Sequence, residues 1–119
     1  MNETVLYDRL GKAVYRLCGR VFYDFTGKPR GFLVDETIYD LRGQHRGFFI
    51  AGVVRDRTGR VVGFKEDARV REMELPAVEI PPVPYKNLPA PEVPAELCDQ
   101  VCPAAPPVWS VMRLTNLIV

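Results

Sequence analysis

The chain has 119 residues, 47% of them hydrophobic, and a formal net charge of +1. A chain of this size holds one small hydrophobic core, so an enzyme with a deep cleft is not expected. The net charge is +3 over residues 1–68, with 12 Lys and Arg against 9 Asp and Glu, and −2 over residues 69–119, with 4 against 6. Neither net charge is large enough to indicate a strongly charged partner.

The first segment, residues 1–4, has neither a basic region nor an apolar run, so we expect no secretion signal. No later stretch approaches the length of a membrane span. The three cysteines (Cys18, Cys98 and Cys102) are an odd number, which is typical of free thiols in a reducing compartment. We therefore expect a soluble, cytoplasmic protein.

After these first residues the sequence repeats with a strict period of 16 residues. The four copies are residues 5–20, 21–36, 37–52 and 53–68. β-Branched and aromatic residues begin each copy and lead into the motif Asp-x-x-Gly. The Asp suits the first position of a type I turn, where it accepts backbone N–H bonds, and the Gly supplies the left-handed conformation. Each copy is therefore predicted to be a tight hairpin with a Gly bulge. The predicted turn residues are Asp8, Gly11, Asp24, Gly27, Asp40, Gly43, Asp56 and Gly59.

The return strands carry Gly-Phe in the last three copies, whereas the first copy has Tyr15 and Arg16 there and is predicted to be the capping hairpin. If each Asp pairs with the residue after its Gly, the second residue of every copy shares a face with these phenylalanines. We predict that this face is the core, and it contains Leu6, Phe22, Ile38, Val54, Phe32, Phe48 and Phe64.

A tyrosine in each of the first three copies is predicted to lie on the opposite face, diagonally across from the residue that is Gly in later copies. An aromatic ring can cover the bare backbone of a cross-strand glycine. A structural role is therefore predicted for Tyr7, Tyr23 and Tyr39. In the fourth copy the guanidinium of Arg55 takes this place.

A single hairpin of this length is marginal in water, so the four should close around a common axis, which also removes exposed sheet edges. The sequence thus predicts an all-β fold with pseudo-fourfold symmetry. The motifs at residues 39–48 and 54–64 resemble those of the four-fold beta-flower family, small and mostly bacterial proteins or modules, and the resemblance covers residues 5–70. It implies four hairpins set like petals around an axis, and no defined catalytic residues.

Proline dominates the segment after the repeat, since ten of the eleven prolines lie between Pro76 and Pro107. Proline at this density excludes helix and central strand, and the apolar residues between the prolines do not suit a solvated spacer. We predict a four-hairpin domain at residues 1–72 and, at residues 73–119, an extended arm that lies along the hairpins or along a neighbouring subunit. A disordered tail is the alternative.

The segment at residues 108–119 is rich in β-branched side chains and has no helix cap, which favours a terminal strand. Helical spacing of its apolar residues leaves a short helix open. Because the segment is too apolar to remain in water, we expect it to dock on its own chain or on a second copy. Trp109, the only tryptophan, is the predicted anchor.

The candidate metal and catalytic residues all have structural interpretations, which we favour. Four equivalent aspartates suggest a ring of calcium ligands, but turn formation explains each of them. Cys98 and Cys102 lack a second Cys pair for a zinc site. The only histidine, His45, is predicted to be a surface strand residue with no nucleophile beside it. We predict no enzyme activity, metal or cofactor.

Arginine is used twelve times against four lysines, and several arginines alternate with aromatic residues. Such a surface can bind single-stranded nucleic acid, but the turn aspartates offset its charge, so we favour intramolecular Arg–Asp pairs and Arg–Tyr stacking. The predicted function is a structural or interaction module that self-associates or holds a protein partner. A weak nucleic-acid binder is the alternative. The candidate interaction residues are Arg30, Arg46, Arg55 and Trp109.

Overall fold

A computed structural model describes residues 3–118, and its regular structure is eight antiparallel β-strands that close into a barrel. Each strand pairs with the next along the chain, and β8 pairs with β1. The predicted all-β fold of four consecutive hairpins is confirmed. The strands are β1 (Glu3–Tyr7), β2 (Ala13–Cys18), β3 (Val21–Tyr23), β4 (Pro29–Val34), β5 (Thr37–Asp40), β6 (His45–Ile50), β7 (Val53–Asp56) and β8 (Val61–Lys65).

A β-bulge interrupts the pairing at the same place in all four hairpins. In the first hairpin Tyr7 pairs with Ala13, but Leu6 pairs with Tyr15, so that Val14 is the extra residue on the return strand. A single inserted residue exchanges the two faces of a strand beyond the bulge. The same shift follows Tyr23, Tyr39 and Arg55 in the other hairpins.

This bulge makes the predicted assignment of faces wrong. Each Asp does pair with the residue after its Gly, as the bond from the Asp8 amide to the Lys12 carbonyl shows. The extra residue then places Phe22 opposite Gly31 rather than on the face of Phe32. The tyrosines consequently lie on the face opposite the glycines and do not cover them; Tyr7 instead pairs with Phe64, at 6.0 Å between ring centroids.

The inner core is built from one large residue of each hairpin and from the C-terminal segment (residues 108–118). Leu6, Phe22, Ile38 and Val54 belong to one buried cluster. Because they come from four alternate strands of a closed barrel, they can meet only in its interior. The same cluster contains Tyr15, Leu17, Val62, Leu114, Leu117 and Ile118.

Three glycines on the inner face leave the space that the C-terminal segment fills. A Cβ added at each of them would lie against a different apolar side chain, at 2.8 to 3.4 Å from its nearest carbon. These pairs are Gly31 with Ile118, Gly47 with Leu117, and Gly63 with Leu114. Small residues in the wall are thus matched by large residues in the segment, which gives close packing at these three contacts.

The first hairpin meets the C-terminal segment by a polar contact. Tyr15, which replaces the glycine there, shares its one hydroxyl hydrogen between the carbonyl oxygens of Thr115 and Ile118, each 3.2 Å from the hydroxyl oxygen. The segment forms a 3₁₀-helix at Leu114–Asn116 and not the terminal strand that its composition favoured. A tight turn lets Leu114, Leu117 and Ile118 reach three different hairpins, which an extended strand with side chains on alternate faces cannot do.

We expect Leu117→Ala to lower the free energy of unfolding by about 2–5 kcal/mol, because Leu117 is 1% exposed within the core cluster. Val111→Ala is the control, since Val111 lies in the same segment and is fully exposed, and its effect should stay within about 0.5 kcal/mol. Denaturant unfolding followed by circular dichroism measures both. Equal effects would show that the segment does not contribute to the core.

Candidate interaction surface formed by the hairpin turns and the arm

Each hairpin turn is held by the side chain of its aspartate. Asp8 Oδ1 accepts the amides of Leu10 and Lys12 at 2.9 and 3.0 Å, and the Gly11 amide donates to the Asp8 carbonyl at 2.9 Å. The amide contacts recur at Asp24, Asp40 and Asp56. One carboxylate oxygen in each turn is therefore occupied by backbone donors, an arrangement that makes four rigid tips.

The arm, defined here as residues 73–107, contains no helix or strand after residue 73, and it contacts the hairpins in chain order. At the first hairpin the Glu79 amide donates to the Gly11 carbonyl at 2.9 Å, and Glu79 Oε2 accepts the Ala13 amide at 2.7 Å. At the second, the amides of Tyr85 and Leu88 donate to carbonyl oxygens of the turn. The backbone groups of an irregular segment thereby find partners.

The end of the arm contacts the third hairpin, and the start of the C-terminal segment contacts the fourth. Asp99 Oδ1 accepts the Thr37 hydroxyl at 2.7 Å, and the Gln100 amide donates to the same hydroxyl oxygen at 2.7 Å. Val61 exchanges backbone hydrogen bonds with Val108 and Ser110. All four hairpins are thus tied to the chain that follows them.

Three of the turn glycines have a second role that the sequence analysis did not identify. A Cβ at Gly11, Gly27 or Gly59 would collide with the carbonyl oxygen of Ala77, Lys86 or Pro103, respectively. Their positive φ values of 80°, 88° and 90° already require glycine. The same glycines meet both requirements, the left-handed turn conformation and the close approach of the arm. The repeat pattern therefore gives no separate indication that the arm lies there.

Arg16 occupies the position that is phenylalanine in the other copies, and it links the first two hairpins to the arm. Its guanidinium donates to Glu3 at 2.8 Å, to the Asp24 carbonyl at 2.8 Å and to Asn87 at 2.6 Å. The residue is only 3% exposed. It also lies 5.5 Å from the ring centroid of Phe25, so its charge is paired within the protein, although its Nε is buried without a hydrogen-bond partner.

The three arginines predicted to interact with a partner all donate to their own chain. Arg30 pairs with Asp24 at 2.9 Å, and Arg46 donates to the Leu117 carbonyl at 2.7 Å. Arg55 donates to the Gly59 carbonyl at 2.9 Å. The structure does not bring these side chains together into one patch, because they support separate hairpins and the C-terminal segment.

Trp109 packs against the last hairpin rather than projecting from the surface. Its ring lies 6.4 Å from that of Phe64, and the guanidinium of Arg9 lies 5.8 Å from its centroid. It also forms an isolated bridge with Val61. Trp109 thus connects the first and fourth hairpins at the end of the arm.

Burial disfavours the charged forms of Cys18, Cys102 and His45. It raises the pKa of the Cys18 thiol, with a further contribution from Glu3, and it raises that of Cys102. His45 is half-buried against Phe48, with ring centroids 4.9 Å apart, and burial lowers its pKa. At neutral pH these groups are a pair of thiols and a neutral imidazole.

Within residues 3–118 no three His, Cys, Asp or Glu side chains are grouped as metal ligands. No helix in this part of the chain is long and apolar enough to cross a membrane.

The turn aspartates differ in how their second carboxylate oxygen is used. Asp56 Oδ2 accepts the hydroxyl of the buried Ser110, and Asp24 Oδ2 accepts Arg30. Asp40 Oδ2 is buried without a hydrogen-bond partner, and Arg42 is 3.8 Å away. Burial alone raises the pKa of Asp24 and Asp56, but hydrogen bonds from neighbouring hydroxyls, backbone amides and Arg30 outweigh it and lower the pKa of both.

We expect acid to destabilise the fold through Asp24 and Asp56, whose folded pKa lies below the ordinary value. As the pH falls, the unfolded chain binds protons at these carboxylates before the folded protein does. The stability that the two aspartates contribute is therefore present above about pH 4, and it is lost as the pH falls through their folded pKa values. Thermal unfolding between about pH 6 and pH 2 measures it. Asp24→Asn with Asp56→Asn should flatten the profile, and an unchanged slope would contradict this origin.

Comparison with known proteins identifies the family. A family model described as 4-fold beta flower protein matches residues 4–118 and so includes the arm and the C-terminal segment as well as the hairpins. No curated protein and no solved structure gives a significant match. The resemblance found in the repeat is therefore confirmed, and the chain belongs to the 4-fold beta flower family.

Proposed function

We propose that this protein is a non-enzymatic, cytoplasmic interaction module that self-associates through its arm. The observation that carries the proposal is the exposure of an apolar stretch at residues 80–85, which we call the arm ridge. Ile80 and Val83 are 93% and 89% exposed, and Tyr85 is 73% exposed. Three large apolar side chains are thus exposed within six residues of the chain, and exposed apolar patches are typical of interaction sites.

The arm ridge is presented on a rigid support. Hydrogen bonds of 2.9 Å at Glu79 and 3.0 Å at Tyr85 fix its two ends to the first and second hairpins. Between them, Pro81, Pro82 and Pro84 restrict the backbone. A preordered segment loses little conformational entropy when it binds, so a small apolar contact can be effective.

A second copy of the chain is the partner that we favour. The net charge of +1 gives little electrostatic repulsion between two copies, and the exposed residues of the ridge are apolar. The C-terminal segment, which also seemed available for association, is engaged in its own barrel through Leu114, Leu117 and Ile118, each 1% exposed. The proposal is therefore limited to the arm.

The positions of the arginines support this function over nucleic-acid binding. Arg16 is buried, and Arg30, Arg46 and Arg55 donate hydrogen bonds within the chain. Polyanion binding requires cationic side chains that are available to phosphates along one surface.

Ile80→Asp combined with Val83→Asp is expected to convert a self-associated protein into a monomer. Loss of central apolar anchors typically removes more than about 2 kcal/mol, which is about a 30-fold weaker association. Light-scattering mass over a concentration series measures the change. Val101→Asp is the matched control, because Val101 is 92% exposed and lies in another stretch of the arm. A monomeric wild-type protein, or equal dissociation by the control, would overturn the proposal.

A further inference from the structure

A cavity lies between the first hairpin, the fourth hairpin and the C-terminal segment. Its walls come from the turn of the first hairpin, from Val62 of β8 and from the C-terminal segment at residues 109–115, and its volume is about 460 Å³. This volume falls within the range of small-molecule sites. The first and fourth hairpins meet here, because β8 pairs with β1. This junction therefore joins the two ends of the repeat, whereas the other junctions join consecutive hairpins.

The interior of the cavity offers an apolar surface beside an aromatic ring. Val62 and Leu114 are 3% and 1% exposed and belong to the core cluster. The indole of Trp109 and the half-buried Met112 complete this part of the lining. Leu10, which is 72% exposed, also lines the cavity. A hydrocarbon or aromatic body of a ligand would be removed from water on these side chains.

The charged groups of the lining favour an anion. Two guanidiniums, of Arg9 and Arg113, line the cavity, and neither makes an ion pair or hydrogen bond with any other residue in the range 3–118. The opposing carboxylate is that of Asp8, whose Oδ1 already accepts the amides of Leu10 and Lys12. Arginine binds carboxylate and phosphate oxygens through paired N–H donors.

A neighbouring cavity at an equivalent hairpin junction serves as an internal comparison. It lies between Val14, Tyr15 and Ile118, and its volume is about 230 Å³. Its arginine, Arg30, is paired with Asp24 at 2.9 Å. The larger cavity thus differs from it in having twice the volume, two guanidiniums without carboxylate partners among the described residues, and an indole.

We propose that the cavity between the first hairpin and residues 109–115 binds a small organic anion, with its carboxylate or phosphate on Arg9 and Arg113 and its apolar body against Trp109, Met112 and Leu114. Self-association through the arm ridge is not required, because no residue of the ridge lines this cavity. The cavity would bind a small anion, whereas the arm ridge would bind a second copy of the chain.

Trp109 is the only tryptophan of the chain, so its fluorescence reports on this cavity. The full-length protein is titrated with 8-anilino-1-naphthalenesulfonate, which combines an anionic group with an aromatic body. We expect saturable quenching of Trp109 emission with one dye per chain. Octanoate and octyl phosphate then compete with the dye, and the stronger competitor distinguishes a carboxylate from a phosphate ligand. Octanol, which lacks the charge, should compete at least about tenfold more weakly.

Arg113→Gln and Arg9→Gln should each weaken the dye and the better anionic competitor about tenfold or more. The matched control is Arg57→Gln, because Arg57 occupies in the fourth turn the position of Arg9 in the first and does not line the cavity. Circular dichroism and thermal unfolding verify that all three variants keep the fold. An absence of saturable quenching, equal competition by octanol, or unchanged affinity in both arginine variants would overturn the proposal.

Discussion

The extra residue in the return strand of each hairpin determines what can lie inside this barrel. It turns Gly31, Gly47 and Gly63 towards the interior, where their missing side chains leave room close to the wall. Without the bulge, the inner face would carry phenylalanines at the neighbouring positions, and the C-terminal segment would have no space to enter. The hydrophobic core is therefore shared between the repeat and a segment that is not part of it.

The arm joins these two parts of the chain. It follows the four turns in order, and at three of them its carbonyl oxygens approach the backbone so closely that only glycine is tolerated. The arm contacts the turns through its backbone groups, which every residue type carries. Its sequence can therefore be less regular than that of the repeat. Where the first and fourth hairpins meet the C-terminal segment, the cavity of Trp109 opens.

The period, the turn motif and the β-branched residues were sufficient to predict the number of hairpins and the positions of their turns, because both depend on local geometry; the family came from a resemblance in the motifs. The assignment of faces was wrong because it depends on one inserted residue, and residues as different as Val14, Arg30 and Arg46 occupy that place. The contacts of Arg46 with Leu117 and of Arg16 with Asn87 join positions 71 residues apart. Local patterns do not contain such pairings, so the candidate cavity and the role of Arg16 required coordinates.

The contact between Tyr15 and Ile118 spans 103 residues, and this separation bears on how the protein folds during its synthesis. The four hairpins leave the ribosome well before Leu114, Leu117 and Ile118, the side chains that fill the space beside their glycines. At about 5–20 residues per second, the interval is several seconds, far longer than a hairpin needs to form. A barrel that closed during this interval would lack three side chains of its core, Leu114, Leu117 and Ile118.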